Sequence, residues 1–225
     1  MQNKKIRFFF DVESQSLHGE GFAFGYVVMT KHEKTNELII LEKGECYSIE
    51  GARGATDWVQ EHVIPSLSFL SSYLKQDLSL LKSESLPSEV VVTTKELRDR
   101  FFEIYKKWKD QEAEFWTDVN FPVESNFLSE VVKDGKGTRD WQMPYALLDV
   151  ANFLDVKVDR NEYSELKGLQ KHNPLDDILA SAYSLYKYEA ELMNRHNQNK
   201  EHRQVGFHEV LLDVEEDGEY QRFKC

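Results

Sequence analysis

Two short segments, far apart in the chain, hold residue types that bind hard cations and move protons. Asp11-Val12-Glu13 ends an aromatic run. Side chains two positions apart on a strand share a face, so both carboxylates can reach one ion. Carboxylate oxygens suit magnesium or manganese. A strand end bearing two acids is also a common solvated feature, so the pair gains meaning from its company. That company is His172-Asn173-Pro174-Leu175-Asp176-Asp177. Pro174 belongs near the start of a helix, which leaves His172 just outside it and puts Asp177 in about its first turn. An acid there is favoured by the helix dipole, and it can equally ligate a metal from the helix face.

The elements that must position these groups can be read from periodicity. Lys5 to Val12 reads as a buried aromatic strand, and Gly21 to Met29 and Glu37 to Tyr47 as the next two, joined by the polar link Lys31 to Asn36. Together they predict an antiparallel meander. Thr56-Asp57 would cap a short helix from Trp58 to about Val63, ended by Pro65. Residues 66–88 mix Leu and Ser without a period and predict irregular helix and loop. Thr94 would cap a helix over Lys95 to Lys109, with Leu97, Phe101, Ile104, Tyr105 and Trp108 on one face. Ala113 to Val119 predicts a strand, and Pro122 opens a helix carrying Val123, Phe127, Leu128 and Val131. Tyr145 to Leu154 and Leu175 to Leu192 predict two more helices, the second with Ile178, Ala182, Leu185 and Tyr186 as its apolar stripe. Phe207 to Val214 predicts one added strand. Strands first, then helix, strand and helices, is the order of an α/β fold of the ribonuclease-H type: a mixed five-stranded sheet flanked by helices. One domain is expected over residues 1–193, with an insertion around 66–93, followed by a polar extension over 194–225.

Composition narrows the partners. The chain has 225 residues, enough for one domain with a sizeable core, and 40% apolar with 30% charged residues is ordinary for a folded protein. A net charge of −12 argues against non-specific binding along a duplex, which needs many Lys and Arg contacts to phosphates. A short or single-stranded end held through metal ions stays compatible. Cys46 and Cys225 support neither a disulfide framework nor a thiolate zinc site, and no apolar run approaches the roughly 20 residues of a membrane span. A reducing, cytoplasmic setting without membrane partners is expected. Lys106-Lys107-Trp108-Lys109 reads as a solvated helix face, and Trp141-Gln142-Met143-Pro144-Tyr145 as packing.

Phe8-Phe9-Phe10-Asp11-Val12-Glu13 resembles the first motif of the DEDDh superfamily of 3'-5' exonucleases, which includes RNase T, oligoribonuclease and the proofreading subunit of bacterial polymerase. His172-x-x-x-x-Asp177 followed by Ile178-Leu179-Ala180 resembles the third, and the resemblance covers about residues 5–193. The second motif departs from the pattern. Asn120-Phe121-Pro122-Val123-Glu124-Ser125-Asn126-Phe127-Leu128 fits its register with Glu124 where the family has Asp, and Asp118 is the rival carboxylate. Spacing to Phe127 and Leu128 favours Glu124.

The resemblance implies two divalent ions, magnesium or manganese, held by Asp11, Glu13, Glu124 or Asp118, and Asp177. It makes His172 the general base, and it implies nucleoside monophosphates released from the 3' end of RNA or short single strands by a homodimer. It also places Ser14, Leu17, Phe22, Phe24, Asn120 and Phe127 among substrate-binding residues. Core packing for the two Phe and a turn role for Ser14 are the plainer readings of those three. The rival from another class is a catalytically silent binding module, and a third reading is hydrolysis of free nucleotides or small phosphodiesters.

Overall fold

In the computed structural model, residues 5–32, 35, 37–67, 70–143, 146–154, 165 and 168–214 are described, with side chains only as far as 196. The chain divides into two compact units, Met1–Leu185 and Tyr186–Cys225. The first holds the sheet and the residues of the motifs.

β1 (Ile6–Ser14), β2 (Gly21–Lys31) and β3 (Leu38–Ser48) form the antiparallel meander that their β-branched and aromatic content predicts. Short helices α1 (Ile49–Arg53) and α2 (Asp57–His62) follow, then a 3-10 turn, Ile64–Ser66. β4 (Val90–Val91) leads into α3 (Thr94–Lys109), β5 (Glu114–Thr117) and α4 (Ser125–Asp134). β6 (Leu148–Asp149), α5 (Val150–Phe153) and α6 (Pro174–Val214) complete the order. The result is α/β: a mixed, six-stranded sheet in the order β4-β3-β2-β1-β5-β6. β5 lies parallel to β1, the arrangement a helical crossover through α3 produces.

Strand alternation splits β1 between two environments. Phe8, Phe10 and Val12 point into a cluster with Phe24 and Tyr26 of β2, Phe101 and Tyr105 of α3, and Phe127 of α4. Phe101 is its hub, with ring centroids 5.0 Å from Phe10, 5.3 Å from Phe24 and 5.1 Å from Phe127. A second core joins Phe22, Ala23 and Tyr47 to Ile49 and Ala52 of α1, Val59 of α2, and Val63 and Ile64 of the 3-10 turn.

Several expectations are corrected. The sheet has six strands, because β4 and β6 are two residues each and show no period of their own. Thr93 rather than Thr94 caps α3, accepting from Glu96 N while the Glu96 carboxylate takes the Thr93 N–H, a reciprocal capping box. At α2 the helix begins at Asp57, but Thr56 makes no side-chain cap. The strand expected over 113–119 is only Glu114–Thr117. Pro122 sits in a wide π-type turn, Asn120–Glu124, before α4; Phe121 within it is extended (φ −131°, ψ 137°), since the residue before a proline avoids helical backbone. Within 145–154, β6 and the one-turn α5 replace the expected helix, and Tyr145 lies outside the described residues. Phe207 to Val214 is helical, continuing α6, rather than a strand. Pro144, Asn36 and Cys225 also lie outside the described residues. Cys46 is a buried free thiol, and among the described residues no helix is long and apolar enough to cross a membrane.

Candidate active site

The acidic face of β1 faces the start of α6. Asp11 pairs with Gly25 of β2, and at Gly25 the helix presses onto the strand. A Cβ there would lie 2.2 Å from Leu175 N and 2.3 Å from the Pro174 carbonyl carbon, so only glycine lets α6 begin at this point. Asn173 caps the helix through Oδ1, which accepts from Leu175 N at 3.0 Å and Asp176 N at 3.1 Å. Asp177 therefore arrives one turn later above Asp11. On the other side, Phe10 pairs with Thr117, so Asp118 leaves β5 beside Asp11, and the turn after it returns Glu124 at the head of α4.

Electrostatics register this convergence. Burial pushes the Asp11 carboxyl well above the usual carboxylate range, with Glu124, Glu13, Asp177 and Asp118 adding repulsion. Burial, then Asp177 and Glu124, raise Glu13 to about 8. Glu124 rises to about 7 by burial, partly offset by N–H groups of its own backbone and of Val12, with Asp118 repelling it. Asp177 rises to about 6, again by burial first, although the His172 N–H donates to its Oδ2 at 2.9 Å. Both rivals for the second-motif carboxylate thus lie in one cluster. Glu124 is buried and hydrogen-bonds Asp11, whereas Asp118 accepts from Ser181 Oγ at 2.7 Å.

Like charges held this close favour a cation among them, and the donor set is one of hard oxygens with a single imidazole. One ligand atom each from Glu13, His172 and Asp177 lies within 4.8 Å of the others. His172 has left-handed backbone (φ 61°), which costs a residue with a Cβ roughly 1–2 kcal/mol. Its carbonyl accepts from Ser66 Oγ at 2.5 Å, and its ring meets Trp58 edge-on at 5.8 Å. Trp58 itself stacks on His62 and remains 56% exposed.

Among the expected substrate contacts, Leu17 is exposed on the β1–β2 loop. Gln15 ties that loop to α1, donating to Gly51 O at 2.9 Å, and Gln15 O accepts from Thr56 N at 3.0 Å. Phe22, Phe24 and Phe127 are corrected: all three are core residues, and the first two have no exposed surface. Ser14 is buried and donates to Ser16 O at 2.6 Å, a turn role. Asn120 is half-buried, and its N–H donates to Asp149 at 3.0 Å. Trp58, Ser66, Ser181 and Gly25 were not singled out by the sequence. A helix start at Thr56-Asp57 marked Trp58 as helical, but nothing local linked it to His172. A hollow of about 400 Å³ between the β1–β2 loop and α4, lined by His18, Glu20, Asn126, Phe127, Glu130 and Lys133 among others, has none of the five clustered carboxylates in its lining. Compared with protein families and with curated proteins, the chain matches none.

Proposed function

We propose that this chain is a metal-dependent 3'-5' exonuclease with a ribonuclease-H-like domain of the DEDDh type. The observation that carries the reading is the gathering of Asp11, Glu13, Asp118, Glu124 and Asp177 beside His172, from elements more than 150 residues apart in sequence. Asp11, Glu13, Asp177 and one or both of Glu124 and Asp118 would hold two magnesium or manganese ions. Bound there, such ions polarise the scissile phosphate and stabilise both the attacking and leaving oxygens.

The protein's own groups do the rest. His172, at the rim of the cluster, takes the proton of the attacking water, the general-base task for which imidazole is the side chain most often used. Asp177 holds the His172 amide and so keeps the base next to the carboxylates. Leu17 and Trp58, exposed on segments joined through Gln15 and Thr56, offer apolar surface to the terminal bases. Stacking of that kind grips single strands without reading sequence. The net charge of −12 favours short single-stranded RNA or DNA ends over duplexes, and the buried free thiol Cys46 fits a reducing, cytoplasmic setting; a homodimer is what the family resemblance adds.

The test is digestion of end-labelled single-stranded RNA and DNA with and without manganese, for wild type and His172→Ala. A ladder shrinking from the 3' end in the wild type, slowed strongly in a variant that still binds manganese, is the expected result. Internal cuts or a wild-type-like His172→Ala would refute the assignment. Binding without cleavage would favour the silent-module reading that the Glu124 departure from the motif invites.

A further inference from the structure

We propose that Ser66 is the positioning residue of the His172 base, an inference that rests on the nuclease reading above. His172 adopts left-handed backbone with no glycine on either side, so its conformation must be imposed by its surroundings. Two contacts do this. Asp177 takes the His172 N–H, a local bond that comes with the start of α6. Ser66 takes hold of the His172 carbonyl from 106 residues away in sequence, at 2.5 Å.

Ser66 is well placed to be that anchor. It is 5% exposed and ends the 3-10 turn Ile64–Ser66, whose neighbours Val63, Ile64 and Leu67 are all core residues. Its hydroxyl also lies 2.6 Å from Val63 O, the bond by which a serine usually satisfies its own turn. A hydroxyl has one proton to donate, so the Val63 and His172 carbonyls share it in a three-centre bond, and the long-range partner is His172. The segment leading to this turn also carries Trp58, whose ring stands at 84° to the His172 ring. One stretch, α2 and its turn, thus touches both the backbone and the ring of His172, and Ser66 supplies the hydrogen bond.

The experiment is a double-mutant cycle on the full chain: wild type, Ser66→Ala, His172→Ala and the pair. Four quantities are read: kcat and KM on a single-stranded oligonucleotide, manganese binding by calorimetry, and amide exchange at His172. Displacing a catalytic group by an ångström costs up to about 100-fold, so Ser66→Ala should lower kcat about 10- to 100-fold. KM and manganese binding should not change, and the substitution should add nothing in the His172→Ala background. Ser66→Thr, which keeps the hydroxyl, should recover most of the loss. Wild-type kcat in Ser66→Ala overturns the inference, and so does an equal loss in both backgrounds, which marks a packing role. Should Ser66→Ala not fold, Ser66→Cys, similar in size but a weak donor, takes its place. If the wild type cleaves nothing, the nuclease reading fails, and Ser66 is judged by exchange alone. Faster exchange of the His172 amide in Ser66→Ala then supports the positioning role, and unchanged exchange overturns it.

Discussion

β1 presents two faces of opposite character within one strand, and the contrast shows how this site is built. On one face Phe8, Phe10 and Val12 lock into the aromatic core around Phe101; on the other, two residues from the strand's end, Asp11 and Glu13 stand among further carboxylates. The first face gains free energy from every contact it makes. Without a cation, the second loses it. Repelling groups can be kept together only if the backbone beneath them cannot relax, and the aromatic face supplies that rigidity. β2 repeats the lesson, with Phe24 in the core and Gly25, its neighbour, admitting the start of α6 to the opposite side.

The comparison can be broken first from the aromatic side. Phe101→Ala should cost about 3–5 kcal/mol, the range for a large aromatic removed from a core, measured by urea denaturation. If the acidic face depends on that rigidity, manganese affinity should fall in the folded variant as well. An unchanged affinity would show that the two faces are independent.

Gly25→Ala attacks the acidic side alone. The methyl carbon would lie 2.2 Å from Leu175 N, so α6 must back away with Asp177 and His172. Activity should fall about 100-fold while the meander and its aromatic core remain, as read by near-ultraviolet circular dichroism. Wild-type activity in this variant would mean that the helix can slide without moving the site.

A milder probe is pH. Asp11, Glu13, Glu124 and Asp177 bind protons more tightly in the folded chain than in the unfolded one, where carboxyls titrate near their ordinary values of about 4. The folded state is therefore favoured below that range. It loses stability as pH rises through about 6 for Asp177, 7 for Glu124 and 8 for Glu13. With chelator present, the thermal midpoint should fall between pH 5 and pH 8, and manganese should restore it at the upper end. A midpoint that is flat, or rises, without metal would contradict the crowding of these carboxylates.

The smallest effect is expected at the rim. Trp58→Ala removes an exposed ring that supports no strand pairing, so stability should barely change. KM for a single-stranded oligonucleotide should rise about tenfold, within the stacking contribution of a base on an aromatic ring. A change in kcat alone would instead assign Trp58 to holding His172.

Much of the frame was legible without coordinates, because its signals are local. The alternating aromatic runs of β1 and β2, the apolar stripe of α3 and the proline start of α6 each depend on neighbours within a turn or a strand. The shared face of Asp11 and Glu13 follows from strand periodicity alone. Phe22, Phe24 and Phe127 show where such reading stops. A motif position tells where a residue stands along the chain, while burial on a given side depends on which element packs over it.

The sequence by itself determined the meander, the main helices and which acids could share a face, since propensity and period act over a few residues. Only the tertiary structure decided that Glu124 and Asp118 both approach Asp11, that Gly25 admits the helix, and that Ser66 reaches His172 across 106 positions. Those outcomes depend on packing between distant elements. No local pattern encodes the partner at the far end of such a contact.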